Sequence, residues 1–263
     1  MNWRWCIVAA LLGVVPARVA AQDGTAFVDR FATLDSGRWQ ISHGWANGAH
    51  QNCVWARGNL KVADGIALSL TDEPTKDRPF TCAELQSNAW YGYGTYEVRM
   101  RAAAGPGLVS AFFTYTGPPH GRPHDEIDFE FLGKAPGEAF VSYFASGRVN
   151  SETAVLGFDS STAIHNYAFE WSPDAIRWFA DGRLIREAKA SETNKLPVEK
   201  QKIYVSIWNG IGWDQEAWLG RFKYPGNPLT ATIEYIAFTP LGAACQFPES
   251  VVCKRVEPKN PAR

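Results

Sequence analysis

His124–Gly133 reads HDEIDFEFLG, and its alternation decides the fold. Laid out as a strand, it puts Ile127, Phe129 and Phe131 on one face and Glu126, Asp128 and Glu130 on the other. The first face belongs inside a layered core. The second carries three acids in a row, a poor structural choice, because like charges at neighbouring same-face positions repel and Asp is a weak strand former. A solvated outer face usually mixes signs. Glu97, Arg99 and Arg101 do so opposite Tyr96, Val98 and Met100, and are read as such a face. An unmixed acidic face points instead to acid chemistry.

Outward from this segment, strand-like stretches recur between turn signals: 94–102, 108–116, 139–145, 166–171, 176–180, 183–188, 202–208 and 232–238. Ser172-Pro173-Asp174 and Ala180-Asp181-Gly182 read as tight hairpin turns joining three consecutive strands. No dozen-residue stretch holds a helical period. The expectation is an all-β fold, a two-sheet antiparallel β-sandwich of jelly-roll type.

The chain has 263 residues, 46% of them hydrophobic, enough for one large core. With 26 Lys+Arg against 27 Asp+Glu, the balance excludes a strongly cationic nucleic-acid binder. Eleven Trp residues favour flat apolar partners such as sugar rings. Residues 1–21 combine Arg4, a short apolar run and Val19-Ala20-Ala21, the pattern of a signal peptide. The run is too short for a membrane span, which takes roughly 20 residues. A secreted chain is expected, periplasmic or extracellular, with one domain over 22–253 and a solvated tail over 254–263.

Loss of the leader removes Arg4 and Arg18 and takes the net charge from −1 to −3. It also removes Cys6 and leaves Cys53, Cys82, Cys245 and Cys253, an even set that reads as two disulfides in an exported protein. Three pairings can be drawn. Cys53–Cys82 and Cys245–Cys253 are favoured, the first joining neighbouring strands and the second closing a short loop. No CxxC or His at ligand spacing supports a metal site instead.

Three acids on one strand face suit retaining glycoside hydrolysis. Residues four apart on a strand have Cα atoms about 13 Å apart. Side chains leaning together then leave about 5–6 Å between carboxyl groups, near the roughly 5–5.5 Å used for retention. Crowding splits their titrations, so one acid stays protonated while another is ionised.

The segment resembles the ExDxE signature of glycoside hydrolase family 16, whose members include bacterial 1,3-1,4-β-glucanases (lichenases) and plant xyloglucan endotransglycosylases. YGYGTYEVRM (91–100), SAFFTYTGP (110–118), GFD (157–159), IWNG (207–210) and WLG (218–220) match further stretches. HQNCVW (50–55), PHDEIDFE (123–130) and CQFPESVVC (245–253) place the chain nearest secreted succinoglycan-processing endo-β-glycanases. The resemblance implies Glu126 as nucleophile, Asp128 as its assistant and Glu130 as acid/base. It further implies a concave sugar-binding groove with Asn47, Glu84, Phe113, Tyr115, Trp208 and Trp218 at substrate positions. His124 is a candidate sugar contact beside the motif, and Trp45, Trp90 and Trp213 are further candidates. The chain departs from the lichenases at His124 (Trp there), Gln86 (Arg), Ser142 and Ser206 (Asn) and Phe144 (Tyr), which bears on substrate choice.

No cofactor is implied for catalysis. A structural Ca²⁺ is a family feature, and Glu234 and the Gly65 carbonyl fall near its ligand positions, with Arg30 in place of a usual Pro. The reading is a monomeric endo-β-glycanase hydrolysing internal β-1,3/β-1,4 bonds of a β-glucan or bacterial exopolysaccharide by double displacement. A transglycosylase shares the covalent intermediate and is the alternative. A non-catalytic carbohydrate-binding sandwich would lack one or more of the acids, and no GxSxG supports a serine hydrolase.

Overall fold

The computed structural model describes residues 24–254. The expected leader and nearly all of the expected tail lie outside them. In chain order the strands are β1 (Phe27–Asp29), β2 (Trp39–Ile41), β3 (Cys53–Trp55), β4 (Leu60–Val62), β5 (Ile66–Leu70), β6 (Phe80–Ser87), β7 (Gly94–Arg101) and β8 (Leu108–Thr116). They continue with β9 (Asp125–Leu132), β10 (Glu138–Ala145), β11 (Arg148–Val155), β12 (His165–Trp171), β13 (Ala175–Ala180), β14 (Arg183–Lys189), β15 (Lys202–Asn209) and β16 (Leu229–Pro240). Among the described residues there are two short α-helices, α1 (Trp213–Leu219) and α2 (Val251–Lys254).

The strands form two eight-stranded sheets. A backing sheet runs β14-β13-β12-β7-β16-β5-β4, with β1 on β16. A front sheet runs β11-β10-β9-β8-β15-β6-β2, with β3 on β6. Pairing is antiparallel except for β3, which lies parallel to β6 and is tied to it by Cys53–Cys82, Cα atoms 5.8 Å apart. Cys245–Cys253 forms the second disulfide, at 5.1 Å.

The core lies between the sheets and is filled from alternate positions. Ile127, Phe129 and Phe131 of β9 are fully buried. Phe129 and Phe131 meet Tyr167 of the opposite sheet at ring-centroid distances of 5.6 and 4.5 Å, and Phe112 meets Phe169 at 5.4 Å. Each such side chain contributes about 1.5–3 kcal/mol by leaving water. The β13–β14 hairpin turns through Asp181 and Gly182 at φ 47° and 81°. This double left-handed turn matches the strands' own twist.

The 94–101 strand departs from the expected solvated face at one position. Glu97 is 2% exposed, because Ser250 Oγ and the Val251 N–H donate to it at 2.6 and 2.9 Å. The loop closed by Cys245–Cys253 covers it. Cys53 and Cys82 do join neighbouring strands, as expected, but the extents of β1 to β6, β11 and the two helices were not anticipated.

Candidate active site

The outward face of the front sheet is a grid fixed by register. Glu126, Asp128 and Glu130 of β9 stand opposite Tyr115, Phe113 and Ala111 of β8. On the other flank they face Phe144, Ser142 and Phe140 of β10. Beyond β8, Phe113 is followed by Tyr204 and Gln86, and Ala111 by Ser206 and Glu84. Phe113 and Tyr204 stack at 4.9 Å, with ring planes 14° apart. Glu126 therefore sits between two rings, Asp128 and Glu130 each have a ring on one flank, and Ala111 leaves room beside Glu130.

An open cavity of about 800 Å³ lies over this floor. Its wall on the β6 side is the segment around Trp45, Asn47 and His50, and His120 and His124 also line it. The chain brings Glu126, Asp128, Glu130, Asn47, Glu84, Phe113, Tyr115, His124 and Trp208 together in its lining. Trp45 lines it as well. Trp218 does not; it borders a neighbouring cavity beside Phe140 and Lys134, with its ring 6.4 Å from that of Trp208. Trp90 is outside the lining, beneath the Arg122 guanidinium at 4.4 Å, and Trp213 is 83% exposed on α1. Tyr204, His50, Gln51 and His120 line the cavity without having been anticipated. Tyr204 was legible as the same-face neighbour of Trp208 in a strand; the loop residues carried no signal.

The electrostatics are those of crowded, largely buried acids. Burial pushes Glu126 up to about 8, the charge of Glu130 adds to the rise, and a hydrogen bond from Asp128 opposes it. Burial also lifts Asp128 and Glu130 well above the carboxylate range, each reinforced by its acidic neighbour. Ser142 Oγ donates to Asp128 Oδ2 at 2.5 Å, and Glu126 Oε2 lies 2.5 Å from His124 Nε2. Glu84, 4% exposed, takes the Ser42 hydroxyl at 2.6 Å, and burial still raises it to about 7. The Trp55 indole N–H donates to Asn47 Oδ1 at 3.0 Å, which fixes that amide at the rim. Such a cluster can hold protons and a negative charge side by side at neutral pH.

The residues at the expected cation position do not fit a Ca²⁺ site, which needs six to eight oxygens. Glu234 lies at a register shift in β16, and its Oε2 receives Arg99 Nε at 2.5 Å. The Gly65 carbonyl accepts the Ala63 N–H at 2.9 Å. Among the described residues no group of three or more His, Cys, Asp or Glu is arranged to hold a metal ion. One neutralised carboxylate and one engaged carbonyl make a poor cage.

A sandwich with a row of acids at the bottom of an aromatic-walled channel defines a carbohydrate-active enzyme. The comparisons agree. Residues 47–233 match the model of Glycosyl hydrolases family 16. The chain is 42% identical over 231 residues to the endo-1,3-1,4-beta-glycanase ExoK of Rhizobium meliloti, covering 87% of this chain and 84% of that one. It is 43% identical over 230 residues to the beta-glucanase of Bacillus subtilis, covering 87% and 92%. The solved beta-glucanase of Bacillus licheniformis superposes with a TM-score of 0.77 at 39% identity, covering 83% of this chain and 99% of that one. The chain belongs to glycosyl hydrolase family 16, whose members cleave O-glycosyl bonds without a catalytic cofactor.

Proposed function

We propose that the protein is a secreted, monomeric, retaining endo-β-glycanase that cleaves internal β-1,3/β-1,4 bonds of a β-glucan or related bacterial exopolysaccharide. The observation that carries this reading is the row Glu126, Asp128, Glu130 on one strand face, opening into a channel flanked by rings. The relatives named as beta-glucanases and as an endo-1,3-1,4-beta-glycanase support the substrate class. Two disulfides support an oxidising compartment. Among the described residues no helix is long and apolar enough to cross a membrane.

In this scheme Glu126 attacks the anomeric carbon while Glu130, held protonated by burial, gives its proton to the leaving oxygen. Glu130, now ionised, then takes a proton from the water that releases the sugar. Asp128 carries the proton that Glu126 gives up and donates it back as a hydrogen bond, with Ser142 holding its other oxygen. The negative charge of the cluster is thereby seated on the nucleophile. Asn47, Glu84, Trp208 and the Phe113–Tyr204 stack are placed to hold the sugar units on one side of the scissile bond. Trp218 would reach the chain only where the substrate passes beyond Trp208. A structural Ca²⁺ would have to displace Arg99 from Glu234.

Azide assigns the two roles. With an activated aryl β-glycoside, Glu126→Ala plus azide should give the inverted α-glycosyl azide, and Glu130→Ala the retained β-glycosyl azide. Glycosyl azides of the opposite anomers would exchange the two roles, and full turnover of either variant without azide would end the proposal. Sizing the products from a panel of polymers names the substrate, and products longer than the input would reveal transfer.

A further inference from the structure

His124 stands where sugar contact was expected, yet its ring is already engaged. It precedes β9 by one residue and shares a face with Glu126. Its carbonyl accepts the Gly147 N–H at 2.8 Å, which ties its backbone to the β10–β11 turn. The imidazole lies flat on Phe144, with centroids 4.3 Å apart and planes 16° apart, and meets Tyr115 edge-on at 5.4 Å. Phe144 and Tyr115 are the two register neighbours of Glu126 itself. The same pair that flanks the carboxylate therefore clamps the ring, and directs Nε2 to Glu126 Oε2 at 2.5 Å.

We propose that His124 is a positioning residue, which donates its Nε2 hydrogen to Glu126, fixes that side chain in one rotamer and favours its ionised form before substrate arrives. The inference rests on Glu126 being the nucleophile. A free Glu has three rotatable bonds, and its burial here disfavours the charged form. An N–H aimed at one oxygen removes both problems: it selects the rotamer and stabilises the ionised state. Asp128 supplies the second donor, so the carboxylate is held from two sides.

The groups facing this pair come from every surrounding element. Asp128 and Glu130 lie on β9, Tyr115 on β8 and Tyr204 on β15, with Lys202 beside Tyr115 in register; Phe144 of β10 is uncharged. Asp125 adjoins His124, and His120 lies against Tyr115 at 5.8 Å. Asp125 is occupied by the N–H groups of Ser146, Val198 and Glu199. Burial lowers the His124 pKa, so near neutrality the imidazole is uncharged and its single hydrogen can sit on Nε2. Among the described residues only His124 has a side-chain nitrogen within hydrogen-bond distance of Glu126 in the structure.

The test is the pH profile of kcat/KM, whose acid limb reports the ionisation of the nucleophile in the free enzyme. His124→Phe keeps the stack on Phe144 and deletes the N–H. The ionised form then loses a donor, so the acid limb should move to higher pH by about one unit, a tenfold loss below it. His124→Gln, which restores an N–H donor, should bring the limb back toward its original position. If His124 only touches sugar, His124→Phe will raise KM and leave the limb in place, and the proposal fails. An unshifted limb with wild-type kcat would also end it. Melting curves of both variants exclude misfolding as the source of a shift. The azide experiment is read separately: retained activity of Glu126→Ala would sink the nucleophile assignment itself, whereas a normal azide result with an unmoved limb sinks only the role of His124.

Discussion

The two sheets follow the same alternation and treat charge in opposite ways. On the backing sheet the outward acids have cations or backbone donors. Arg177 of β13 stands in register between Glu170 and Glu187 and reaches them at 3.0 and 2.7 Å. Glu234 has Arg99, and Glu97 has the Ser250 hydroxyl and the Val251 N–H. On the front sheet, Glu126, Asp128 and Glu130 face Tyr115, Phe113 and Ala111 on one side and Phe144, Ser142 and Phe140 on the other. No arginine or lysine of the described residues forms an ion pair with any of the three. Neutralised acids hold a surface together. Acids left beside one another and dried by aromatic neighbours store proton affinity, which is what a glycosidase uses.

The sharpest break of this comparison exchanges an acid for alanine on each side. Glu130→Ala should lower kcat on polymer by about 10²–10⁴, the usual worth of a positioned proton donor. Glu170→Ala, an outward acid of the other sheet, should leave kcat unchanged. Initial rates on one β-glucan, with melting curves as a check on folding, read both. An equal loss in the two variants would show that the front row is structural.

The contrast explains what the sequence could reveal. The β9 motif alternates cleanly because one side is core and the other is open groove. The three acids stood out because nothing of opposite sign shares their face. Phe80–Ser87 was missed because it is buried on both sides: the segment around Trp45 and Asn47 covers its outward face, so Cys82, Glu84 and Gln86 are buried alongside Leu85. Arg148–Val155 failed for the opposite reason, being an edge strand exposed at almost every position. α1 spans seven residues, two turns at most, too few to show a period. Asn47 and Glu84 came only through the family resemblance. Their meeting with β9 depends on a strand order, β9-β8-β15-β6, that no local pattern encodes. The covered Glu97 escaped because its partners are about 150 residues away in the chain.

A second measurement sharpens the comparison through stability. Glu126 is pushed up to about 8 in the fold, against 4.5 unfolded. Between those values the folded state binds more protons than the unfolded one, so its contribution to stability is full below about pH 4.5 and is lost as pH rises toward 8. Glu126→Gln cannot titrate. Its melting temperature should match the wild type at pH 4 and exceed it by several degrees at pH 8, while activity is lost, a trade of stability for function. Glu187→Gln on the backing sheet should do the reverse on a smaller scale: Arg177 and Lys189 hold Glu187 below its usual range, so its small contribution exists above about pH 4.5 and fades as the pH falls. A Glu126→Gln difference that stays flat between pH 4 and 8 would deny that the row is strained.

The smallest effect concerns Glu234, the backing-sheet acid that the family resemblance placed near an expected cation position. Arg99 and a divalent ion are alternative ways to neutralise Glu234, and two cations at one carboxylate repel each other. With Arg99 in place, added Ca²⁺ or chelator should leave the melting temperature unchanged. Arg99→Gln frees the carboxylate beside the Gly65 turn. If the freed site binds with a Kd of about 1 mM, typical of extracellular modules, 10 mM Ca²⁺ would stabilise the fold by about 1.4 kcal/mol. That corresponds to a rise of about 3–6 °C in a domain of this size. A calcium response in the wild type would mean that the ion outcompetes the guanidinium, and that this face is balanced by a bound cation rather than by the chain's own arginine.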